Sequence, residues 1–268
     1  MANTKTQYQS IFLSDIHLGC RDCKAEYLLD LLEKVDAKTI YLVGDIFDIW
    51  ALEKRFNWPQ SHHQVVDTLI EKAKNGVKVI YVPGNHDEKV RRYIGMTFAD
   101  IEIHSHYIHT TVDNKKFIVV HGDEFDGDVC LGAWQSRLGD VLYDLLLFLN
   151  RTCFKIRKLF GFGYWSLAGY IKSRVKGANE AIERYRQAAI EYAIKNGTDG
   201  IICGHIHQPD VIYQDNILYC NDGDWLENCT MLAENLDGSI ELIYWTETVQ
   251  RLSHYSAQKT VKTANQAA

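Results

Sequence analysis

Short apolar runs alternate with amphipathic stretches along most of the chain. Five runs rich in β-branched and aromatic residues predict strands, and they lie at Ser10–Ser14, Thr39–Val43, Val77–Val82, Lys116–Val120 and Gly200–Cys203. Two stretches carry apolar residues at helical spacing, namely Leu28, Leu29, Leu32 and Val35, and then Val65, Val66, Leu69, Ile70 and Ala73. Gly76 is placed to end the second helix. Alternation of strands and helices predicts an α/β layered fold.

Three regions depart from this alternation. From about 132 to 197 the pattern predicts almost continuous helix, which we interpret as a helical insertion between the fourth and fifth strands. The stretch 210–245 carries short apolar runs and Asp-Gly turns, and it predicts β-hairpins that close a second sheet. Residues 256–268 are polar and rich in Ala and Thr, and we expect a disordered tail there. We therefore expect one domain over 1–255.

The composition is that of a globular protein, with 268 residues, 46% hydrophobic and 24% charged. The longest apolar run, Leu145–Leu149, is far shorter than the roughly 20 residues of a membrane span. The first ten residues contain no apolar segment typical of a secretory signal, and the seven cysteines are scattered. We therefore expect reduced thiols and a cytoplasmic location. The net charge of −6 argues against global attraction to nucleic acid.

Polar side chains follow each of the five predicted strands at its carboxyl end. In chain order the donors are Asp15, His17, Asp45, Asn85, His121, His205 and His207. Because ligands bind outside the carboxyl ends of strands in open α/β sheets, we expect these loops to converge on one site. Taken singly, each residue could equally be a turn residue, a helix cap or a core histidine. Five strand ends with the same chemistry favour a shared site.

The donors are imidazole nitrogens and carboxylate or amide oxygens, without a thiolate. This mixture suits Mn²⁺, Fe²⁺ or Zn²⁺ better than Ca²⁺. Seven ligands are too many for one ion and fit two, with one carboxylate shared. Two such ions about 3.5–4 Å apart activate a water molecule and clamp both oxygens in a phosphoryl displacement. The sequence therefore predicts a binuclear metal centre for phosphate chemistry.

The ordered motifs Asp-x-His, Gly-Asp, Gly-Asn-His-Asp, His and Gly-His-x-His over about 11–208 resemble the calcineurin-like metallophosphoesterase superfamily. This resemblance implies a four-layer α/β/β/α sandwich. It implies two ions, for which we expect Mn²⁺, with the ligand sets Asp15, His17, Asp45 and His207, and Asp45, Asn85, His121 and His205. It also implies that His86 stabilises the transition state or protonates the leaving group, and that Asp87 orients His86.

The predicted insertion carries a strong local charge asymmetry. Between 151 and 176 there are seven basic residues and no acidic one: Arg151, Lys155, Arg157, Lys158, Lys172, Arg174 and Lys176. The same window holds six aromatic residues: Phe154, Phe160, Phe162, Tyr164, Trp165 and Tyr170. This mixture favours a lipid-like substrate or membrane surface. Single-stranded nucleic acid and an ordinary helical hairpin with core aromatics are the alternatives.

Longer sequence motifs indicate one branch of this superfamily. Asp-Ile-His-Leu-Gly, Gly-Asp-Ile-Phe-Asp, His-Gly-Asp-Glu-Phe-Asp and Gly-Asp-Trp resemble the UDP-2,3-diacylglucosamine diphosphatase branch of the superfamily. That branch implies a helical lid at this place and cleavage of a diphosphate in a lipid A precursor. It implies phosphate or sugar contacts from Arg174, Lys176 and Asn179, and peripheral contact with the inner membrane.

One residue departs from that branch, whose best-studied members have Arg where this chain has His86. Arg is a fixed charge clamp, whereas His can also act as a general acid near neutral pH. A phosphomonoesterase or phosphodiesterase with another substrate is therefore the alternative. A non-catalytic scaffold is disfavoured because the chain keeps all seven predicted ligands and His86.

Several further residues have weaker signals. Cys20 and Cys23 form a C-x-x-C without a second pair, so we expect no thiol metal site. His62 and His63 lie away from the strand-end pattern, and we expect the histidines at 104, 106 and 109 to lie on an exposed sheet face. Asp48 and Asp126 are expected either to orient ligand histidines or to act as turn and cap residues.

Overall fold

The computed structural model describes residues 5–129, 133–172, 174, 176–256 and 259–261. The strands are β1 (Thr6–Leu13), β2 (Val35–Val43), β3 (Lys78–Val82), β4 (Thr97–Phe98), β5 (Ile101–Ile103), β6 (Tyr107–Thr110), β7 (Lys116–Val119), β8 (Gly200–Cys203), β9 (Asp210–Gln214), β10 (Ile217–Asn221), β11 (Thr230–Glu234), β12 (Ile240–Trp245), β13 (Val249–Ser256) and β14 (Lys259–Val261). The helices are α1 (Ala25–Lys34), α2 (Ile49–Lys54), α3 (Gln60–Lys74), α4 (Asp126–Val129), α5 (Ala133–Leu159), α6 (Leu167–Lys172) and α7 (Lys176–Lys195).

The strands form two sheets. The first has the order β14-β13-β12-β11-β1-β2-β3-β5-β4, and the second has the order β6-β7-β8-β10-β9. In the first sheet β1, β2, β3 and β5 run parallel, while β11 joins β1 antiparallel. In the second sheet β7, β8 and β10 run parallel. The carboxyl ends of the parallel strands therefore lie at one edge of each sheet, where the predicted ligands follow.

Alternating side chains of the strands build three apolar layers. In β1, Phe12 packs into a core between the two sheets, whereas Ile11 and Leu13 face the core under α1 and α3. On the far side, Tyr185 and Ala189 of α7 pack on the outer face of the second sheet. Period-two alternation in strands that are covered on both faces gives this arrangement. The four-layer α/β/β/α sandwich predicted from the resemblance is thus confirmed.

The C-terminal strands divide between the two sheets. We expected the whole 210–245 stretch to close the second sheet, but only β9 and β10 join it, whereas β11 and β12 extend the first sheet. The reason is that β11 pairs with β1 through hydrogen bonds, with Phe12 opposite Leu232.

The predicted helix ends agree only in part with the structure. Val35, which we placed in the first helix, begins β2 directly after α1. Gly76 has a φ of 92° after α3, as a helix-ending glycine requires.

The predicted insertion over 132–197 consists of two parts. Helices α5 and α6 form a hairpin over the sandwich, whereas α7 is the helical layer on the second sheet. The hairpin is fastened by Tyr164, which donates to the carbonyl oxygen of Glu227 over 2.6 Å and accepts from Asn150 over 3.0 Å. Arg151 pairs with Asp22 at 2.8 Å. Among the described residues no helix is long and apolar enough to cross a membrane.

The segment expected to be a disordered tail is structured at its start. Ser256 ends β13, and residues 259–261 form β14, which pairs with β13. Residues 257, 258 and 262–268 lie outside the described part of the chain, as do residues 1–4, 130–132, 173 and 175. The six cysteines that the structure describes are free thiols.

Candidate metal centre

The predicted ligands meet between the carboxyl edges of the two sheets. They follow β1, β2 and β3 of the first sheet, and β7 and β8 of the second. Five of them occupy the left-handed backbone region, with φ between 49° and 68°: Asp15, His17, Asp45, His205 and His207. Residues other than glycine seldom adopt this region, and such strain concentrates at functional sites. Tight turns after the strands therefore aim these side chains inward.

Backbone contacts hold the turns together. The Asp15 amide donates to the carbonyl oxygen of Gly44 over 3.0 Å, and the His17 amide donates to that of Asp45 over 2.8 Å. A side chain at Gly44 would collide with the imidazole of His121. Glycine is required there, since its lack of a side chain lets the loop after β2 approach the loop after β7.

One cluster of donors comprises Asp15, His17 and His207, all of them buried. Oδ1 of Asp15 lies 3.1 Å from Nε2 of His207 and 3.8 Å from Nε2 of His17. The other carboxylate oxygen of Asp15 accepts from the backbone N–H of His205 over 2.8 Å. The carboxylate is therefore held by one oxygen, while the other points into the cluster.

A second cluster comprises Asp45, His121 and His205. Oδ2 of Asp45 lies 3.3 Å from Nε2 of His121 and 3.7 Å from Nε2 of His17, so this single oxygen faces both clusters. Oδ1 of Asn85 lies 3.2 Å from Nε2 of His121. The structure thus brings all seven predicted ligands together, with Asp45 between the two groups.

The donor set fits divalent metal ions. Oδ1 of Asp15 and both ring nitrogens of His17 are buried without a hydrogen bond of good geometry, which is rare for buried polar atoms. Nδ1 of His121 lies 2.9 Å from the carbonyl oxygen of Val43, so Nδ1 carries the proton and Nε2 presents its lone pair to the cluster. Nitrogen and oxygen donors without thiolate suit Mn²⁺, Fe²⁺ or Zn²⁺.

Close packing of carboxylates and imidazoles shifts the pKa values of these groups. Burial opposes ionisation of Asp45, but His121 and His17 beside it hold its pKa well below its usual range. Burial also opposes protonation of His207, yet the charge of Asp15 prevails and raises the pKa of His207 to about 9. Since a metal ion needs neutral imidazole, binding of an ion must displace such protons.

His86 lies at the rim of this centre. Its backbone N–H donates to Oδ1 of Asp45 over 2.8 Å, and its Nδ1 lies 3.1 Å from Oδ1 of Asp48. Its ring is 4.6 Å from that of His17 and 4.2 Å from that of Trp50, measured between centroids. His86 is therefore fixed beside the clusters with one ring nitrogen engaged by a carboxylate.

Asp87 does not orient His86, although we expected it to. Its Oδ2 accepts from the backbone N–H of Ile46 over 2.8 Å and from the hydroxyl of Tyr81, and its Oδ1 accepts from the N–H of Gly84 over 2.6 Å. Backbone donors surround the buried carboxylate and leave the imidazole to Asp48. Asp87 thus joins the loop after β2 to the loop after β3.

Both alternatives that we considered for Asp48 hold at once. The side chain caps α2 by accepting from the N–H of Ala51 over 2.8 Å, and its Oδ2 lies 3.4 Å from Nδ1 of His17. Asp126 contacts a ligand histidine as well, with its Oδ1 2.7 Å from Nε2 of His205.

A cleft of about 450 Å³ opens onto the centre. Besides five of the predicted ligands and His86, it is lined by Trp50, Lys54, Leu147 and Leu226, which sequence reasoning did not select. The only sequence signal for the first two is their four-residue spacing on one helix, directly after Asp48.

Two of the three expected substrate contacts do not line this cleft. Arg174 and Asn179 are exposed and do not line it, and the side chain of Lys176 lies outside the described residues. Arg174 instead lies over the ring of Tyr170, at 4.3 Å from its centroid. The three residues remain predictions as phosphate or sugar contacts.

The histidines set aside in the sequence lie outside the centre, but not as expected. His109 is buried between the sheets, where Nδ1 lies 2.9 Å from the hydroxyl of Tyr41 and Nε2 lies 2.9 Å from Glu234. The expectation of an exposed sheet face was therefore wrong for His109. His104 and His106 lie in the connection between β5 and β6.

Comparison with known proteins finds relatives that are named as hydrolases. A UDP-2,3-diacylglucosamine hydrolase of Porphyromonas gingivalis is 32% identical over 120 residues, which are 42% of this chain and 45% of that relative. Enzymes of the same name from Blochmanniella pennsylvanica and Xanthomonas campestris are 24% and 25% identical, over 75% and 85% of this chain and 80% and 96% of theirs.

Solved structures show more distant similarity. Vacuolar Protein Sorting 29 from Cryptosporidium parvum matches with a TM-score of 0.46 and 13% identity, over 92% of this chain and 97% of its own. Yfce, a phosphoesterase from E. coli, matches with a TM-score of 0.46 and 16% identity, over 90% and 97%. The family model described as calcineurin-like phosphoesterase matches residues 9–209, a range that contains every predicted ligand. The chain belongs to the calcineurin-like phosphoesterase family and is a phosphoester hydrolase.

Proposed function

We propose that the protein uses two divalent ions to hydrolyse the diphosphate bond of a UDP-diacylglucosamine-like lipid A precursor. The observation that carries this proposal is the composition of the cleft. Five of the predicted metal ligands line it together with the apolar side chains of Leu147 and Leu226. A phosphate substrate that also carries acyl chains would meet both kinds of side chain, and the curated relatives are named for such a substrate.

In this proposal one ion is held by Asp15, His17, Asp45 and His207, and the other by Asp45, Asn85, His121 and His205. Asp45 is shared, which its position between the clusters supports. Bound ions would lower the pKa of a water molecule and neutralise charge on the phosphoryl oxygens. Mn²⁺ is our first choice, with Fe²⁺ and Zn²⁺ as alternatives, because all three accept mixed nitrogen and oxygen ligation.

His86 supplies the proton to the leaving oxygen. In the imidazolium form of His86, Nδ1 donates to Asp48 and the proton on Nε2 is the one transferred to the leaving oxygen, which leaves a neutral ring with its proton on Nδ1. The contact with Asp48 also fixes the orientation of the His86 ring, so the proton can be transferred without a change of side-chain rotamer.

The hairpin of α5 and α6 has a surface suited to lipid. Phe154 and Tyr164 pack inward, but the turn of the hairpin exposes Leu159, Phe160 and Phe162 at 82%, 70% and 61%. Lys155 and Lys158 are exposed on the preceding turn of α5. Exposed apolar side chains flanked by cations favour contact with an anionic membrane surface. We propose that the protein contacts the membrane surface through this tip. We also propose that residues 1–255 form a single domain that includes the hairpin.

A phosphomonoesterase or phosphodiesterase acting on another substrate is the second candidate. It is favoured by His86, which stands where the best-studied members of the diphosphatase branch have Arg. His86, held by Asp48, can protonate any poor leaving group, whether or not the substrate is a diphosphate.

The test is a comparison of catalytic efficiency on three substrates by pure protein with Mn²⁺. These are UDP-2,3-diacylglucosamine, UDP-N-acetylglucosamine, which lacks the long acyl chains, and bis(p-nitrophenyl) phosphate. Because each buried methylene contributes about 0.8 kcal/mol, we expect the substrate with two long acyl chains to be favoured by at least ~100-fold over UDP-N-acetylglucosamine. The products should be UMP and an acylated sugar 1-phosphate. Equal efficiency on the first two substrates, with good activity on the third, would support the second candidate.

A further inference from the structure

Ser14 directly follows β1 and bridges two carboxyl groups. Its Oγ lies 2.5 Å from Oδ2 of Asp15 and 2.6 Å from Oδ1 of Asp222, the residue that directly follows β10. All three residues are buried, with at most 1% of their surface exposed. At these distances both contacts are hydrogen bonds. The hydroxyl therefore joins a predicted metal ligand to a carboxyl group outside the predicted ligand set.

The bridge has too few protons if both carboxyl groups are ionised. A serine hydroxyl carries one proton, whereas an ionised carboxylate can only accept a hydrogen bond. The carbonyl oxygen of Gly223, 3.2 Å from Oγ of Ser14, is one more acceptor and supplies no proton. The hydroxyl can donate to only one oxygen, so a second contact with an ionised carboxylate would set lone pairs against each other. One of the two carboxyl groups must therefore be protonated and donate to Oγ.

Asp15 is the ionised partner in this bridge. Its Oδ2 accepts from the backbone N–H of His205 over 2.8 Å, as well as from the hydroxyl of Ser14. Two donors on one oxygen stabilise a charged carboxylate. A carboxyl group must also be deprotonated to bind a metal ion. The proton is therefore assigned to Asp222.

Asp222 has the surroundings of a neutral acid. Its Oδ2 is buried without a hydrogen bond to any residue that the structure describes. Burial raises the pKa of Asp222 well above its usual range, and the contact with Ser14 offsets only part of this effect. A buried charge with one bonded oxygen would be costly. A neutral acid can donate from Oδ1 and leaves only a carbonyl oxygen unpaired.

The bridge fixes the orientation of the Asp15 carboxylate. Because Oδ2 is held by the Ser14 hydroxyl and the His205 amide, Oδ1 is the oxygen directed toward Nε2 of His207, at 3.1 Å. A side chain at Gly204 would collide with Oγ of Ser14 and Oδ2 of Asp15. Glycine at this position thus lets the loop after β8 enclose the bridge.

We propose that Asp222 is a positioning residue of the metal centre and is a neutral carboxylic acid in the working protein. Its Oδ1–H donates to Oγ of Ser14, and the Ser14 hydroxyl donates to Oδ2 of Asp15. The chain has one direction, because an ionised Asp222 would compete with Asp15 for the single hydroxyl proton. The role of Asp15 as a metal ligand rests on the proposed function, whereas the neutral state of Asp222 does not.

Infrared spectroscopy of the whole protein detects the neutral acid directly. At about pH 8 exposed carboxyl groups are ionised, so the C=O stretching band of a protonated carboxyl group reports a buried acid. We expect this band in the wild type, both metal-free and loaded with Mn²⁺, and a shift of the band to lower frequency in D₂O. Asp222→Asn should lose the band.

Glu234→Gln is the matched control for this change from acid to amide. Glu234 is also fully buried, but it accepts from the backbone N–H of Val112 over 2.7 Å and lies 2.9 Å from Nε2 of His109, outside the metal centre. These contacts suit an ionised carboxylate. Glu234→Gln should therefore keep both the infrared band and the wild-type affinity for Mn²⁺.

Mn²⁺ titration of the variants measures the positioning role. Asp222→Asn keeps a donor, since its Nδ2–H can replace the acid O–H, and its Kd should stay within about threefold of wild type. Asp222→Leu and Ser14→Ala break the chain and should raise the Kd of the ion bound by Asp15 about 10- to 100-fold. Rescue by an uncharged amide distinguishes a proton donor from an ionised carboxylate.

A wild-type spectrum without the band, or a band that persists in Asp222→Asn, overturns the proposal. Loss of the band on loading with Mn²⁺ overturns it as well, because the acid would then be ionised in the working protein. Equal weakening of Mn²⁺ binding in Asp222→Asn and Asp222→Leu contradicts the donor role. Wild-type affinity in Ser14→Ala contradicts the positioning role, and this variant and the spectra decide if Asp222→Leu does not fold.

Failure of the proposed function has a different signature. A protein that shows the band and this order of Mn²⁺ affinities, but does not hydrolyse UDP-2,3-diacylglucosamine, supports the role of Asp222 and removes only the proposed substrate.

Discussion

Oδ1 of Asp48 lies 3.1 Å from Nδ1 of His86. The same carboxylate faces Nδ1 of His17 through its other oxygen, at 3.4 Å. One side chain at the start of α2 therefore contacts the predicted proton donor and lies beside a predicted metal ligand. Burial opposes ionisation of Asp48, but these two histidines hold its pKa well below its usual range, so the carboxylate is charged at neutral pH.

We expect Asp48→Asn to weaken metal binding about 10- to 100-fold, the usual cost of losing a group that orients a ligand histidine. The amide keeps an oxygen that can accept from the N–H of Ala51, so the cap of α2 should survive. Asp48→Ala is the comparison, because it should also lose about 0.5–2 kcal/mol of stability with the cap. Mn²⁺ titration and thermal unfolding of the metal-free proteins measure the two effects. Wild-type metal affinity in Asp48→Asn would contradict the orienting role.

For His86→Ala we expect retained metal and a rate lower by roughly 10²–10⁴-fold, as for loss of a general acid. The loss should shrink for a p-nitrophenyl leaving group, which departs without protonation. The measurement is kcat for a series of aryl phosphodiesters of increasing leaving-group pKa. An equal loss along the whole series would instead indicate that His86 stabilises charge in the transition state.

Asp45→Ala should lower hydrolysis more than any other single ligand substitution, because Asp45 faces both clusters. Metal content, measured by elemental analysis, should fall from near two ions per chain toward none. Asn85→Ala is the matched control, since Asn85 lies beside His121 of the second cluster and its loss should remove one ion. A variant Asp45→Ala with two ions and a normal rate would show that the carboxylate is not shared.

Metal binding should weaken as the pH falls. The charge of Asp15 raises the pKa of His207 to about 9, so without metal this imidazole is protonated at neutral pH. An ion must displace that proton, and each unit below pH 9 therefore increases the competition. Mn²⁺ titrations between pH 6 and pH 9 should show a Kd that falls with rising pH, with protons released into a weakly buffered solution. A Kd independent of pH would exclude protonated ligands.

The strand-end donors could be predicted because their geometry is local. The apolar run Ile11–Leu13 predicts a strand, and the residues that follow it lie at the carboxyl end of that strand. Asp15 and His17 can therefore be placed without knowledge of the rest of the fold. The same argument applies to His205 and His207 after β8. Proximity of the two sheets then completes the cluster.

What the sequence did not predict depends on pairing between distant segments. The stretch of β11 and β12 has a typical hairpin pattern, but the choice of sheet depends on its contact with β1, more than 200 residues earlier. Asp48 rather than Asp87 reaches His86 because the loop after β2 folds across the loop after β3. Neither contact can be predicted from the spacing of residues in the sequence.

The exposed tip of the α5–α6 hairpin should bind anionic membranes. Phe160 and Phe162 stand out from the surface, and the guanidinium of Arg157 lies 5.5 Å from the ring centroid of Phe162. Since full burial of a Phe side chain contributes about 1.5–3 kcal/mol, replacing both with Ser should lower vesicle affinity by at least about tenfold. Phe98→Ser is the matched control, because Phe98 is 74% exposed on the edge strand β4, away from the hairpin.

Cosedimentation with vesicles of phosphatidylglycerol and phosphatidylethanolamine measures this affinity. Binding by the wild type should weaken with added salt, because exposed cations such as Lys155 and Lys158 contribute through their charge. Hydrolysis of bis(p-nitrophenyl) phosphate should be unchanged in the double variant, since Phe160 and Phe162 do not line the cleft. Hydrolysis of a vesicle-borne acylated substrate should fall with vesicle affinity. Equal vesicle binding by the double variant and by Phe98→Ser would mean that the membrane is contacted elsewhere.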